Sequence, residues 1–178
     1  MHIYADLVRV DVCFIKGKEI VKANVFRHLV NLWPPLLFSG ISATSISDDY
    51  REVEARLKLR WYNRNYVGVQ FGGSLFAMTD PWYMLMLFHN LGREYYVWDK
   101  HASIDYISPG KGMVTAKFRI DENILADIRE KTANGDKYLP EFHVDIIDEQ
   151  NKLVARVHRV LYVRKKPAAR IKAEGQDQ

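Results

Sequence analysis

The stretch FGGSLFAMTDPWYMLMLFHNLG, residues 71–92, decides the fold that the sequence predicts. Apart from Asp80 and a polar pair near its end, it is almost wholly apolar. A helix that is apolar on all sides has to be buried on all sides in a globular protein. Asp80 and the break at Pro81 argue against a membrane span. We therefore expect a buried helix that begins after Gly72-Gly73 and ends at Gly92.

The rest of the chain predicts an antiparallel sheet around this helix. Over residues 52–61, apolar and charged side chains alternate strictly, which is typical of an antiparallel strand with one solvated face. Strands over 95–107 and 113–120 are expected to form one hairpin, and strands over 141–147 and 153–163 another. The other predicted elements are a strand over 5–15, a helix over 19–33 ended by Pro34-Pro35, a strand over 38–47, and a helix over 123–131 capped by Asp121.

Length and charge predict one domain with a basic tail. A chain of 178 residues is expected to form a single domain over residues 1–163, including an N-terminal extension, followed by a flexible tail over 164–178. The tail has five basic and two acidic residues, so it accounts for +3 of the net charge of +4. The body is nearly neutral, and nucleic acid is not an expected partner. Cys13 is the only cysteine, which favours a reducing compartment, the cytoplasm.

Asp80 is the chemically distinctive residue of the buried helix. A carboxylate among apolar side chains costs several kcal/mol to desolvate unless it is hydrogen-bonded, hydrated or neutralised. An acid kept in such surroundings is a candidate general base. The alternative is structural, because Asp80-Pro81 also fits an N-cap followed by the first position of a second helical segment. The residues alone leave both interpretations open.

Gly72-Gly73 begins the helix with two residues that have no side chain. Glycine lets backbone N–H groups come close to a ligand, and a helix N-terminus favours negative charge. Such donors can hold the oxyanion of a tetrahedral intermediate. A tight loop-to-helix turn without a chemical role is the simpler explanation of the pair taken alone.

Asn65, Gly68, Gly72-Gly73 and Asp80 together resemble the motif of the hotdog-fold thioesterases of the phenylacetyl-CoA type. That motif contains an Asn, a Gly, a His-Gly-Gly triplet and an acid on the central helix. The interval of eight residues from Gly72 to Asp80 agrees with it. The resemblance extends over about residues 20–163 in the order of elements. It implies an α+β hotdog fold, in which an antiparallel sheet wraps around a long central helix.

The resemblance also implies roles for single residues. Asp80 activates a water molecule or attacks the thioester directly. The N–H groups of Gly72 and Gly73 stabilise the oxyanion. Asn65 polarises the carbonyl or holds the water, and Thr79 orients it, although a helical Thr more often bonds its own backbone.

Phe71 is a departure from the motif, because the family has His at this position. A polar role of that side chain is therefore absent, whereas oxyanion binding by backbone N–H groups survives. Residues 71–81, with 98–100 and 109–112, are similar to an uncharacterised thioesterase-like hotdog subgroup. Phe71, Met78 and Lys111 are candidates for substrate binding. Met78 belongs either to an apolar wall for an acyl chain or to the core, and Lys111 either holds CoA phosphates or is solvated.

The spacing of the motif predicts a site shared between two chains. At about 1.5 Å rise per residue, Gly72 and Asp80 lie about 12 Å apart on one continuous helix. One thioester carbonyl cannot contact both. An antiparallel copy of the helix from a second chain brings the Gly pair of one chain beside Asp80 of the other. We therefore expect a homodimer, or a tetramer built from two dimers.

Three functions are compatible with these residues and with the resemblance. The first is hydrolysis of an acyl-CoA or related thioester, without a cofactor and without membrane insertion. The second is a non-catalytic hotdog protein that binds acyl-CoA or lipid. The third is a hydratase or dehydratase, which pairs a His with an acid, but no His stands at the helix start here. The six His and one Cys lack the spacing of metal ligands, so that no metal site is expected.

Overall fold

Five helices and seven strands follow one another along residues 21–167, the part of the chain that the computed structural model describes. The expected strand over 5–15 and residues 168–178 of the tail lie outside this part. In chain order the elements are α1 (Ala23–Asn31), α2 (Pro34–Ser39), β1 (Ile41–Ile46), β2 (Glu52–Lys58), α3 (Gly72–Ala77), α4 (Trp82–Leu91), β3 (Tyr95–Tyr106), β4 (Met113–Arg119), α5 (Glu122–Lys131), β5 (Lys137–Tyr138), β6 (Glu141–Asp148) and β7 (Leu153–Lys165).

All strand pairs of the sheet are antiparallel. The strand order is β1-β2-β4-β6-β7-β3, and the short β5 pairs with β7. In β2, Val53, Ala55 and Leu57 point into the core and the residues between them face outward. The predicted alternation is therefore confirmed, although β2 ends at Lys58 rather than at residue 61.

The sheet packs around α4, which is the core helix of the domain. The Tyr83 ring stacks on Phe142 of β6 with 4.2 Å between ring centroids, and it meets Phe118 of β4 edge-on at 5.3 Å. Trp82, at the start of α4, is buried against the same strand. The predicted α+β architecture, an antiparallel sheet around a central helix, is confirmed.

The central helix is broken in the middle, at the Pro81 break that the sequence indicated, so that the long helix consists of two segments. α3 ends at Ala77, residues 78–81 form a turn, and α4 begins at Trp82. Pro81 explains the break, because proline has no N–H and disfavours helical geometry in the residue before it. The indole nitrogen of Trp82 donates to the Met78 carbonyl at 2.7 Å and satisfies one backbone acceptor that the break exposes.

The predicted hairpin between strands 95–107 and 113–120 is wrong. β3 pairs along its length with β7, whereas β4 lies between β2 and β6. The turn-forming residues 108–112 do reverse the chain, but they do not make the flanking strands neighbours. The other predicted hairpin, β6 with β7, is confirmed.

Several boundaries move by a few residues. The helix predicted over 19–33 is shorter, since α1 runs from Ala23 to Asn31; residues 19 and 20 lie outside the described part. Pro34-Pro35 starts α2, because proline is accepted in a first helical turn. Asp121 caps α5 as predicted, with its carboxylate accepting from the Ile124 N–H at 2.9 Å. β7 runs to Lys165, and Arg164 donates to the Gly135 carbonyl at 2.7 Å, so these two residues belong to the sheet rather than to the tail.

Within residues 21–167 we find no helix of the length and apolarity that crossing a membrane requires.

Candidate functional site

A buried arginine organises the polar residues at the helix break. The side chain of Arg159, on β7, is 1% exposed. Its Nη1 donates to a carboxylate oxygen of Asp80 at 3.1 Å and to one of Asp99 at 2.8 Å. Its Nε and Nη2 donate to the Thr79 hydroxyl at 3.4 and 3.3 Å. The Phe76 ring lies 5.4 Å from the guanidinium carbon. These partners compensate for the removal of the cation from water.

Asp80 is held at the surface of the protein. Its side chain is 64% exposed, so the expectation of a buried acid is wrong. The helix break is the reason, because Asp80 lies in the turn between α3 and α4 rather than inside a continuous helix. It does not cap α4 either, since the N-cap position is Pro81 and no side chain caps that helix. The Asp80 carboxylate is therefore open to solvent on one side and held by the Arg159 cation on the other.

Asp99 is the second acid of the cluster. It lies on β3 beside an irregularity in the pairing with β7, between Asp99 and His101, and such bulges re-aim side chains. Burial raises the pKa of the Asp99 carboxyl, Arg159 lowers it by hydrogen bond and charge, and the negative charge of Asp80 raises it, with a net rise. The two carboxylates, which accept from the same guanidinium group, therefore interact electrostatically.

The Thr79 hydroxyl forms hydrogen bonds with Arg159 and with the backbone rather than with solvent. Its side chain is fully buried, and its hydroxyl donates to the Phe76 carbonyl at 2.8 Å while it accepts from Arg159. The expected role in orienting water does not fit this geometry, because the only hydroxyl proton is already used by the backbone.

Asn65 and Gly72 line a second region, a surface cavity of about 370 Å³. The Asn65 side chain closes its own loop, accepting from the Val69 N–H at 3.1 Å and donating to the Gln70 carbonyl at 3.4 Å. The Tyr106 hydroxyl donates to the Gly72 carbonyl at 3.1 Å and forms another part of the lining. Neither Asp80 nor Gly73 is among the residues that line this cavity.

Gly72 and Gly73 begin α3, and their N–H groups have no acceptor within residues 21–167. First-turn N–H groups of a helix have no partner inside the helix. A Cβ at Gly73 would lie 2.5 Å from the Phe71 ring, and one at Gly72 would lie 3.0 Å from the Tyr106 hydroxyl. The absence of side chains therefore lets two aromatic rings pack closely on this helix start.

Gln70 joins the walls of the cavity. Its side-chain amide nitrogen donates to the carbonyls of Leu57 at 3.1 Å and Gly112 at 2.8 Å. Its backbone N–H donates to the Gly110 carbonyl at 2.9 Å. The loop after β2 and the loop before β4 are thereby held together. Nothing in the sequence pattern pointed to this residue.

The three residues expected to bind substrate occupy different environments. Phe71 is exposed beside the helix start. Met78 is fully buried in the core, which supports the core interpretation rather than the acyl wall. Lys111 is exposed next to Gly110, one of the residues that line the cavity.

Arg159 and Asp99 were missed by the sequence analysis, although a signal existed for each. Residues 155, 157, 161 and 163 form the buried apolar face of β7, and Arg159 lies on the same alternating face. Asp99 follows Tyr95 and Val97 on the inward face of β3 in the same way. A single charged residue on an otherwise apolar strand face marks a buried, paired charge.

Solved structures similar to this chain share its fold. One is a protein of unknown function from Pseudomonas aeruginosa, described as a probable thioesterase; it is 21% identical with a TM-score of 0.73, over 84% of this chain and 99% of its own. Another is a thioesterase from Haemophilus influenzae, 17% identical with a TM-score of 0.61, over 85% and 96%. A third is a protein of unknown function from Chlorobaculum tepidum, 18% identical with a TM-score of 0.65, over 81% and 94%.

The sheet, its central helices and these similarities define a hotdog-fold protein, as the motif predicted. The family model DUF4442, a domain of unknown function, matches residues 18–163. The chain therefore belongs to the DUF4442 family. No functionally curated protein matches it in sequence.

Proposed function

We propose that this protein is a thioesterase-like hydrolase that cleaves an acyl-CoA or a related thioester. The observation that carries the proposal is the exposed Asp80 carboxylate, fixed by the buried Arg159 at a break in the central helix. The fold supports it, because similar structures include proteins described as thioesterases.

In the proposed reaction a water molecule attacks the thioester carbonyl carbon while Asp80 accepts its proton. The carbonyl oxygen becomes an oxyanion, to which the N–H groups of Gly72 and Gly73 donate. The intermediate then collapses, the carbon–sulfur bond breaks, and the thiolate takes the proton back from Asp80. The products are a carboxylic acid and a free thiol, and no cofactor takes part.

Arg159 acts as a positioning residue in this proposal. Its hydrogen bond to Asp80 restricts the rotation of the carboxylate, and its own place is fixed by Asp99 and Thr79. A base that is held in one orientation loses less conformational freedom when the reaction begins.

The proposed site combines two chains. Within one chain Asp80 is not among the residues that line the cavity of Gly72 and Asn65. A second copy is proposed to bring its Gly72-Gly73 N–H groups to the Asp80 of the first. The protein would then act as a homodimer, alone or within a tetramer.

The test is release of free thiol from acyl-CoAs of short, medium and long chain. We expect Asp80→Asn to lower the rate at least about tenfold, since loss of a positioned base typically removes a factor of about 100 or more. Because the Asp80 side chain is exposed, the fold should persist, as circular dichroism would check. Asp105→Asn is the matched control, an exposed acid on the same strand as Asp99.

A non-catalytic protein that binds acyl-CoA or lipid is the second candidate. Phe71 favours it, because an exposed aromatic ring replaces the polar residue of the motif beside the helix start. Binding of acyl-CoA without turnover in both the wild type and Asp80→Asn would support this candidate and contradict the hydrolase.

A further inference from the structure

Several exposed apolar side chains lie on α2 and on the loop that follows β2. Trp61 is 82% exposed and Phe38 is 76% exposed, although large apolar side chains are usually buried. We call this set the aromatic end; its members are Leu37, Phe38, Trp61, Tyr62, Tyr66 and Val67.

Asn63 joins the two segments of the aromatic end. Its amide nitrogen donates to the Ser39 carbonyl, at the end of α2, and to the Lys58 carbonyl, at the end of β2, both at 3.0 Å. Its amide oxygen accepts from the Arg60 N–H at 2.7 Å. Asn63 is itself buried, so that the loop is anchored at its base while its aromatic side chains stay outside.

The two chain segments that form the aromatic end carry basic side chains and no acidic ones. Residues 20–47 and 55–79, which include both segments, contain no Asp or Glu. Lys58, Arg60 and Arg64 are exposed, and none of them forms an ion pair with another residue of the 21–167 region. An apolar patch bordered by unpaired cations favours a partner that is apolar and negatively charged.

We propose that the aromatic end docks on the surface of a bilayer that contains anionic lipids. Such a surface offers negative headgroups above an apolar interior, and it attracts nearby Lys and Arg side chains. Trp and Tyr side chains favour the interface between headgroups and acyl chains. A second copy of this chain fits this patch less well, because a symmetric contact of the patch with itself would bring the same cations face to face. The proposed dimer uses the start of α3 instead.

The proposed docking surface lies next to the cavity of the candidate site. Asn65 and Val69 belong to the loop after β2, and they also line the cavity that Gly72 borders. One loop thus provides both part of the aromatic end and one wall of the cavity. A docked protein would meet lipophilic molecules at the surface where they collect.

The test is flotation of the full chain with vesicles of phosphatidylcholine alone or mixed with phosphatidylglycerol. We expect binding to the mixed vesicles at low salt and little binding to the neutral ones. Each of Arg60→Gln and Arg64→Gln should weaken binding about fivefold. Phe38→Ser with Trp61→Ser should abolish it, whereas Trp98→Ser, an exposed tryptophan on β3, is the control that should not.

Two further measurements separate the outcomes. Trp61→Phe should remove the blue shift in fluorescence that mixed vesicles cause in the wild type. Asp80→Asn should bind vesicles like the wild type, so that failure of the hydrolase does not decide this proposal. Absence of flotation with mixed vesicles at low salt would overturn it. So would variants of the aromatic end that change the sedimentation mass of the protein but not its flotation, because the surface then covers another copy.

Discussion

At the scale of single residues, the chemistry of the candidate site comes from two acids that share one cation. Asp80 and Asp99 both accept from Nη1 of Arg159. They differ in their surroundings, since the Asp99 side chain is less than half as exposed as that of Asp80. The motif in the sequence identified Asp80, but Asp80 was expected to be buried, whereas Asp99 is the acid that is partly buried.

The shared cation gives a prediction for Asp99. The negative charge of Asp80 raises the pKa of the Asp99 carboxyl. Replacing Asp80 by Asn removes that charge, so we expect the pKa of Asp99 to fall in Asp80→Asn. Carbon-13 NMR titration of the aspartate carboxyl groups would measure it. An Asp99 pKa that is unchanged or higher in the variant would contradict the close pairing of the two acids.

At the scale of elements, β7 carries the residue that holds the site together. Its inward face is apolar except for Arg159, and the same strand is the neighbour of both β3 and β6. A strand between two neighbours is held on both edges, which makes it a rigid support for a positioned side chain.

Arg159→Met is expected to destabilise the protein by about 3 kcal/mol, because it leaves the partly buried Asp99 without its cation. Urea unfolding measures the change. The control is Arg156→Met on the same strand, which breaks a solvent-exposed pair with Asp145 and should cost much less stability than Arg159→Met. Equal losses in the two variants would show that Arg159 is not the structural support described above.

At the scale of the whole molecule, the proposed site depends on a second chain. Gly72→Pro removes the Gly72 N–H donor and fits the backbone, because Phe71 has an extended ψ of 129° and proline is accepted at the first helical position. Its Cβ would lie 3.0 Å from the Tyr106 hydroxyl, so that this ring has to shift slightly. Gly72→Ala is the matched control, since it adds a similar Cβ near Tyr106 but keeps the N–H.

We expect Gly72→Pro to lose most of the thiol release and Gly72→Ala to keep most of it. Removal of one oxyanion donor typically costs a factor of about 100 or more. Co-expression of Gly72→Pro with Asp80→Asn should then restore part of the activity, because a mixed dimer contains one site with both groups intact. Mixed dimers without activity would contradict a site shared between chains.

The amino-acid sequence by itself determined the types of most elements, the α+β class and the motif residues 65–80. These follow from local patterns: alternation along strands, apolar helical faces, and turn residues. Only the tertiary structure decided which strands are neighbours, how Pro81 turns Asp80 out to solvent, and where its cation comes from. Arg159 lies 79 residues from Asp80 and 60 from Asp99 in the chain. Contacts across such distances depend on how the strands are ordered in the sheet. The periodicity within a strand does not reveal that order, because it is the same whichever strand lies beside it.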